Sequence, residues 1–308
     1  MSKVQKFFIG VLGVLLVLVI GVTAFATKIY FDVKGSVDKT YETVERQETG
    51  VSRKEEVNLN NKDSFSILLM GVDTGDLGRT DTGRSDAIMV ATVSPEDNKT
   101  QVISIPRDTY MEIVGYGTFD KVNHAYAFGG PAMSMDSLEK YLDIPIDHYA
   151  AINLKGIQDL VNAVGGVTVN NDLAFTSDSK SFDIGQIELN GEEALAFVRM
   201  RYDDPNGDYG RQERQRLVIQ GIMQKLISID SMTKYQSILD AISDNMKTDM
   251  DFSTMQKIAL DYRDAFSTIQ MDQLQGEGFM QDGVSYQRVS DEELTRVQAE
   301  LKDQMGLN

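Results

Sequence analysis

No cysteine occurs among the 308 residues, which excludes a disulfide framework, a thiolate nucleophile and a zinc–thiolate site. A chain without thiols also tolerates oxidising surroundings. Histidine is nearly absent. His124 and His148 lack the partner spacing of a metal or nucleophile site and read as structural or surface residues. Positive charge is scarce as well: 30 lysines and arginines against 47 acids leave a formal net charge of −17. Most of the surface therefore repels nucleic acid and anionic headgroups, and any phosphate must be met by a local cluster. There is no serine elbow, no Walker loop and no dinucleotide-binding glycine fingerprint, so the common hydrolase, nucleotide and dehydrogenase readings have no support. Internal repeats and low-complexity tracts are also lacking. What is present is enough apolar residue, 42% of the chain, to bury a proper core in one large domain or two small ones.

The N-terminus carries the one long apolar run. Phe7 to Ala26 is 20 residues without a charge, and as a helix it is roughly 30 Å long, the thickness of a bilayer's hydrocarbon core. Lys3 and Lys6 precede it and hold residues 1–6 in the cytoplasm by the positive-inside rule, against a weak opposing vote from Lys28. Ala24-Phe25-Ala26 resembles a signal-peptidase site, but the run exceeds the usual ~7–15 apolar residues of a cleaved segment. The expectation is a retained anchor at 7–27, a polar stalk at 28–63 and one extracytoplasmic domain at 64–308, exposed on a Gram-positive-type cell surface.

Within that domain, Ser64–Val72, Ser85–Ser94 and Gln101–Ile105 read as buried strands. Helical spacing follows in Pro131–Leu142, after a Gly-Gly break, and in Leu154–Val164, before Gly165-Gly166. Glu192–Phe197 reads as a short helix, and Arg211–Ile229 as a long one. The last hundred residues read as mostly helical, with Tyr235–Met246, Thr254–Phe266 and Asp291–Met305 amphipathic. Strands alternating with helices predict an α/β fold, a mixed central sheet flanked by helices in αβα layers.

Five of the chain's 13 arginines fall in the 18 residues from Arg199 to Arg216. In an extended Phe-Val-Arg-Met-Arg segment Arg199 and Arg201 project to one side, while Arg211, Arg214 and Gln215 share a face of the following helix. Asp208 is placed to cap that helix, whose positive end would lie beside the guanidinium groups. An anion is the natural ligand, since arginine grips phosphate through two parallel hydrogen bonds and keeps its charge when buried. The competing reading pairs these arginines with nearby acids such as Glu192, Asp203, Asp204 and Glu213, and leaves Arg216 solvated.

Two further groups sit at strand ends. Asp73 closes one strand, and Arg84 and Asp86 open the next; two such carboxylates can hold Mg²⁺, although strand-end aspartates more often form turns. Ser104-Ile105-Pro106-Arg107-Asp108 leaves a strand at a proline, which puts Arg107 and Asp108 at the sheet rim where α/β folds bind ligands. Lys121 reads equally as a site residue or an exposed loop lysine. The Asp203–Asp208 loop has calcium-like composition but not the spacing, and reads as a turn.

Taken in order, Leu68–Asp73, Gly83–Asp86, Ser104–Asp108, Lys121–Gly130, Gly165–Val167, Leu189–Leu195, Phe197–Arg201 and Asp208–Gln215 resemble the LytR-CpsA-Psr family of cell-wall proteins over residues 65 to about 230. The resemblance implies a phosphotransferase that moves a phosphorylated glycopolymer, of the wall teichoic acid or capsule type, from a polyprenyl pyrophosphate carrier to peptidoglycan. It implies Mg²⁺, with Mn²⁺ as the alternative, on Asp73 and Asp86. The pyrophosphate falls to Arg84, Arg107, Lys121, Arg199, Arg201, Arg211 and Gln215, and the catalytic roles to Arg107, Asp108 and Asp208. Met111 departs from the pattern, where some members carry a further arginine.

Family members have also been labelled transcriptional regulators or attenuators. An outward-facing domain with net charge −17 lacks a basic footprint for DNA, so any such effect is expected to be indirect and no nucleic-acid partner is expected. A carrier-binding protein without chemistry and a pyrophosphatase acting on the same lipid are the other readings. They differ from a transferase in whether a joined product appears.

Overall fold

The computed structural model describes residues 27–47, 49, 51, 53, 57–74, 83–201, 203–226 and 234–307. The expected anchor lies outside them except for its last residue, and among them no helix is long and apolar enough to cross a membrane.

Residues 27–40 are helical (α1), and the chain then runs extended along the domain. This region, expected as a stalk, is fastened to the body by charge: Arg46 pairs with buried Asp136 at 2.7 Å and Glu139 at 3.0 Å, and Arg53 pairs with Asp147 at 2.8 Å. β1 (Phe65–Val72), β2 (Ser85–Ser94) and β3 (Lys99–Ser104) follow, then a hairpin of β4 (Tyr110–Ile113) and β5 (Thr118–Lys121). After α2 (Val122–Leu142) come β6 (His148–Asn153), α3 (Leu154–Val164) and four short strands, β7 (Val167–Asn171), β8 (Phe175–Ser177), β9 (Lys180–Phe182) and β10 (Gly185–Leu189). The chain continues through α4 (Gly191–Arg199), α5 (Asp208–Leu226), α6 (Tyr235–Asn245), β11 (Met246–Thr248) and α7 (Phe252–Asp261). It ends with β12 (Ile269–Gln273), a hairpin of β13 (Glu277–Gln281) and β14 (Val284–Arg288), and α8 (Asp291–Met305).

The central sheet has the order β11-β6-β1-β2-β3-β12. It is mixed: β1 runs antiparallel to β2 and parallel to β6, and β3 runs antiparallel to β2 and parallel to β12. Alternation along the strands splits the core in two. Leu68, Met70, Ile88, Val90 and Ile103 face one way and pack with Met135 and Leu138 of α2 and Val297 and Leu301 of α8. Met89, Ala91 and Val102 face the other way, toward Ile219 of α5. A separate apolar cluster around Phe175, Phe182 and Phe197 joins α3 through α6 to the small strands. The mixed sheet between helices is the architecture expected from the sequence.

Some local expectations need correction. α2 opens at Val122, so a helical stretch not expected from the sequence precedes the one from Pro131; the expected Gly-Gly break stands between them, with non-helical backbone at Gly129 and Gly130. Gly130 takes φ 64° and ψ −152° there, a conformation open only to glycine. The last hundred residues are less helical than expected. β12 reads Ile-Gln-Met-Asp-Gln and β13 Glu-Gly-Phe-Met-Gln, both short and polar; β12 is decided by its pairing with distant β3, and β13 by its hairpin with β14.

Candidate active site

β1 ends, β2 begins and β3 ends on the same edge of the sheet, because β2 runs antiparallel to both neighbours. Asp73 follows β1, Asp86 is the second residue of β2, and Arg107 and Asp108 follow β3 across Pro106. The start of α5 brings Asp208 and Arg211 to this edge. The Asp73 carboxylate accepts a hydrogen bond from the Arg84 backbone N–H. A side-chain carbon at Gly83 would overlap that carboxylate, so the turn requires glycine.

Arg107 lies across the site. Its Nη1 donates to Asp86 Oδ1 at 2.6 Å, and its Nε lies 3.9 Å from both Asp108 Oδ2 and Asp208 Oδ1. Asp108 also holds Lys121, Nζ to Oδ1, at 2.8 Å. Asp208 is a hub: the same Oδ1 lies 2.5 Å from Arg211 Nη2 and 3.9 Å from Arg201 Nε. Three guanidinium groups thus converge on one carboxylate that is only 8% exposed.

The electrostatics favour a further anion. Burial works against the charge on Arg107, but Asp86, with Asp208 and Asp108, more than offsets it and raises the pKa. Arg211 has the opposite balance. Burial, joined by the like charges of Arg107 and Arg201, lowers its pKa in spite of Asp208. It stays charged, since arginine does not deprotonate in proteins, so its surroundings hold less negative charge than it calls for. Among the described residues Arg211 Nε and Gln215 Oε1, one helical turn apart on α5, are buried without a hydrogen-bond partner. A buried orphan donor costs about 1–3 kcal/mol unless something meets it.

Asp208 differs from expectation in one respect. It is the first residue of α5 rather than its cap, and its carboxylate binds side chains: Arg211, and Gln212, whose Nε2 donates to Oδ2 at 2.9 Å. Gln212 in turn accepts from Gln273 of β12 at 2.8 Å, which fixes Asp208 to the sheet. The i, i+4 spacing of Asp208 and Gln212 carries a signal of this contact in sequence; Gln273 carries none.

The arginine cluster divides by role. Arg201 joins Asp208, whereas Arg199 belongs to the last turn of α4 and has an ion contact with Asp178 at 4.0 Å; the two side chains are equally exposed. The segment is therefore not extended: the capping box of Asn190 and Glu193 starts a helix that carries on through Arg199. Arg214 is committed to structure, with a buried pair to Asp204 at 2.5 Å and bonds to the carbonyls of Phe197 and Met200. Arg216 is half-buried, with Nη1 shut away from solvent, and burial lowers its pKa, so it is not fully solvated. Arg84 is exposed. The Asp203–Asp208 loop is the turn expected of it, with Asn206 N–H donating to Asp204.

Among the described residues no group of three histidines or carboxylates converges as a metal cage. Asp73 and Asp86 supply two oxygen donors from neighbouring strands. Asp86 uses Oδ1 for Arg107, and among the described residues its Oδ2 has no partner. That donor set fits a hard cation that keeps water and substrate oxygens in most of its positions, as Mg²⁺ does.

Comparison with known proteins gives a consistent picture. The model of the LytR_cpsA_psr family matches residues 27–303. The polyisoprenyl-teichoic acid–peptidoglycan teichoic acid transferase TagU of Enterococcus faecalis is 60% identical over 306 residues, 99% of each chain. The crystal structure of Bacillus subtilis TagU covers 79% of this chain and 97% of its own at 41% identity, with a TM-score of 0.63. A structure of TagT bound to LI-WTA covers 87% and 99% at 29% identity, with a TM-score of 0.68.

Proposed function

Since the chain belongs to the LytR-CpsA-Psr family, we propose that it is a glycopolymer phosphotransferase, moving a teichoic acid-type polymer from a polyprenyl pyrophosphate carrier to peptidoglycan. The observation that carries this reading is the convergence of Arg107, Arg201 and Arg211 on Asp208 at the sheet rim. Teichoic acid transferase is also the name borne by the relative with 60% identity.

Phosphoryl transfer asks a protein mainly to position reactants and stabilise charge. An acceptor hydroxyl oxygen attacks the phosphorus that bears the polymer. The bond from that phosphorus to the bridging oxygen breaks, and polyprenyl phosphate leaves with the bridge oxygen and its electron pair. Arg107, Arg201 and Arg211 take up the pyrophosphate charge, with Arg84, Lys121, Arg199 and Gln215 around them. The hydroxyl proton passes to Asp108, beside Arg107 and Lys121. Asp208 is a positioning residue that holds the guanidinium groups in place. Asp73 and Asp86 would hold Mg²⁺, which supplies further charge neutralisation when bound.

The run Phe7–Ala26 serves as a single membrane anchor with the N-terminus in the cytoplasm, placing the domain outside the cell where a lipid-linked donor is displayed. The full chain in detergent, incubated with a defined pyrophosphate-linked donor, peptidoglycan and Mg²⁺, is expected to give polymer joined to glycan plus polyprenyl phosphate. Release of polyprenyl phosphate without a joined product would make it a pyrophosphatase instead.

A further inference from the structure

Beyond the rim, two hairpins present an aromatic surface that the phosphate chemistry does not use. Tyr110 of β4 is the centre, with ring centroids 5.6 Å from Phe119, 5.5 Å from Phe279 and 5.1 Å from Tyr286. The two hairpins meet edge to edge, since Thr109 bridges Gln287. This cluster is not closed over. Phe119 is 57% exposed, and Tyr110, Phe279 and Tyr286 are each only half-buried. A contiguous exposed apolar patch of this kind marks an interaction site more often than chance.

The surface is continuous with the site. Lys121 Nζ sits 5.6 Å from the centre of the Tyr286 ring while it pairs with Asp108 at 2.8 Å. A molecule lying on the rings therefore has one end beside the carboxylate proposed to accept the hydroxyl proton. The charge around the rings narrows the choice of occupant. The segments 110–121 and 277–288 together carry four acids, Glu112, Asp120, Glu277 and Asp282, against two bases, Lys121 and Arg288. With two more acids than bases, the patch lacks the basic residues that hold a protein on an anionic bilayer. The Arg288 guanidinium lies 4.3 Å over the Phe279 ring, while the Phe119 ring stays open; exposed aromatic surface with polar groups at its edges suits an uncharged ligand with an apolar face and polar edges. A pyranose sugar has both.

We infer that the β4–β5 and β13–β14 hairpins form the docking surface for the acceptor glycan, with N-acetylhexosamine rings stacked on Phe119 and the neighbouring aromatic residues. This deepens the proposed transfer and rests on it for the identity of the acceptor. The surface itself is open to a binding test that needs no turnover.

The test titrates the detergent-solubilised full chain with a short N-acetylglucosamine oligomer, and separately with phosphatidylglycerol vesicles. Phe119→Ala is expected to weaken oligomer binding about fivefold, the scale of one lost aromatic contact, and Phe119→Tyr, which keeps the ring, to retain it. Phe119 is exposed, so neither change disturbs the core. Oligomer binding that is the same in Phe119→Ala and the wild type overturns the inference, and so does Phe119-dependent binding to vesicles with none to the oligomer. Failure of the transfer reading looks different: the oligomer binds through Phe119 but no polymer is ever joined to glycan.

Discussion

Arg214 and Asp204 form an ion pair at 2.5 Å in which neither side chain is more than 6% exposed. The same guanidinium donates to the carbonyls of Phe197 and Met200 and lies 5.2 Å from the centre of the Phe175 ring. It ties the first turns of α5 to the end of α4, and so fixes the helix that carries Asp208 and Arg211.

Removing that strut should cost stability before it costs chemistry. Arg214→Ala leaves Asp204 buried without its partner and should lower the unfolding free energy by about 3–5 kcal/mol. Arg214→Lys should restore little, because an ammonium cannot serve three acceptors from one planar fork. Urea denaturation read by circular dichroism measures both. A loss below about 1 kcal/mol for Arg214→Ala would remove Arg214 from the structural account.

The remaining arginines should separate by their distance from Asp208. Arg107→Ala and Arg211→Ala should each reduce transfer about 100-fold or more, the usual effect of deleting a preorganised charge at a developing anion. Arg199→Ala, on the more exposed residue beside Asp178, should reduce it about tenfold or less. Turnover with a defined lipid-linked donor checks the order; an equal loss at all three positions would place Arg199 in the same cradle.

Asp208 offers a sharper distinction, because it carries negative charge where the substrate also brings negative charge. Asp208→Asn removes a competing anion, so the donor KM should not rise. It also releases Arg107, Arg201 and Arg211 from a common partner and leaves them to repel one another, so kcat should fall about tenfold or more. A steady-state analysis that finds a raised KM with unchanged kcat would instead make Asp208 part of the binding surface.

How far the sequence discloses this arrangement depends on how local each determinant is. The strands at Phe65–Val72 and Ser85–Ser94 are legible because their apolar runs are continuous and bounded by turn residues. Arg107 at the rim follows from Pro106, which ends a ladder whatever surrounds it. The division of labour among Arg199, Arg201, Arg211 and Arg214 is not legible, because it depends on where α4 stops and on which carbonyls face α5. Gln273 escapes for the same reason: it reaches Gln212 across 61 positions, and nothing in its own neighbourhood announces it. Asp208 reads as a cap because an aspartate before a helix usually is one; of the three guanidinium groups that claim it, Arg201 and Arg211 are near in sequence, but Arg107 comes from a distant stretch of chain.

The proposed cation gives the last prediction, and the two aspartates should not behave alike. Chelation with EDTA should abolish transfer, and added Mg²⁺ or Mn²⁺ should restore it. Asp73→Asn removes one oxygen charge and should raise the Mg²⁺ concentration for half-maximal turnover about tenfold or more, while saturating Mg²⁺ recovers much of the rate. Asp86 serves twice, since its Oδ1 also fixes Arg107 at 2.6 Å. Asp86→Asn should therefore lower the rate even at saturating Mg²⁺, because the guanidinium loses its charged partner as well as the metal its ligand. A Mg²⁺ titration of the two variants tells them apart. Full rescue of Asp86→Asn at high Mg²⁺ would mean that Arg107 does not depend on it, and undiminished turnover in EDTA would remove the metal from the mechanism altogether.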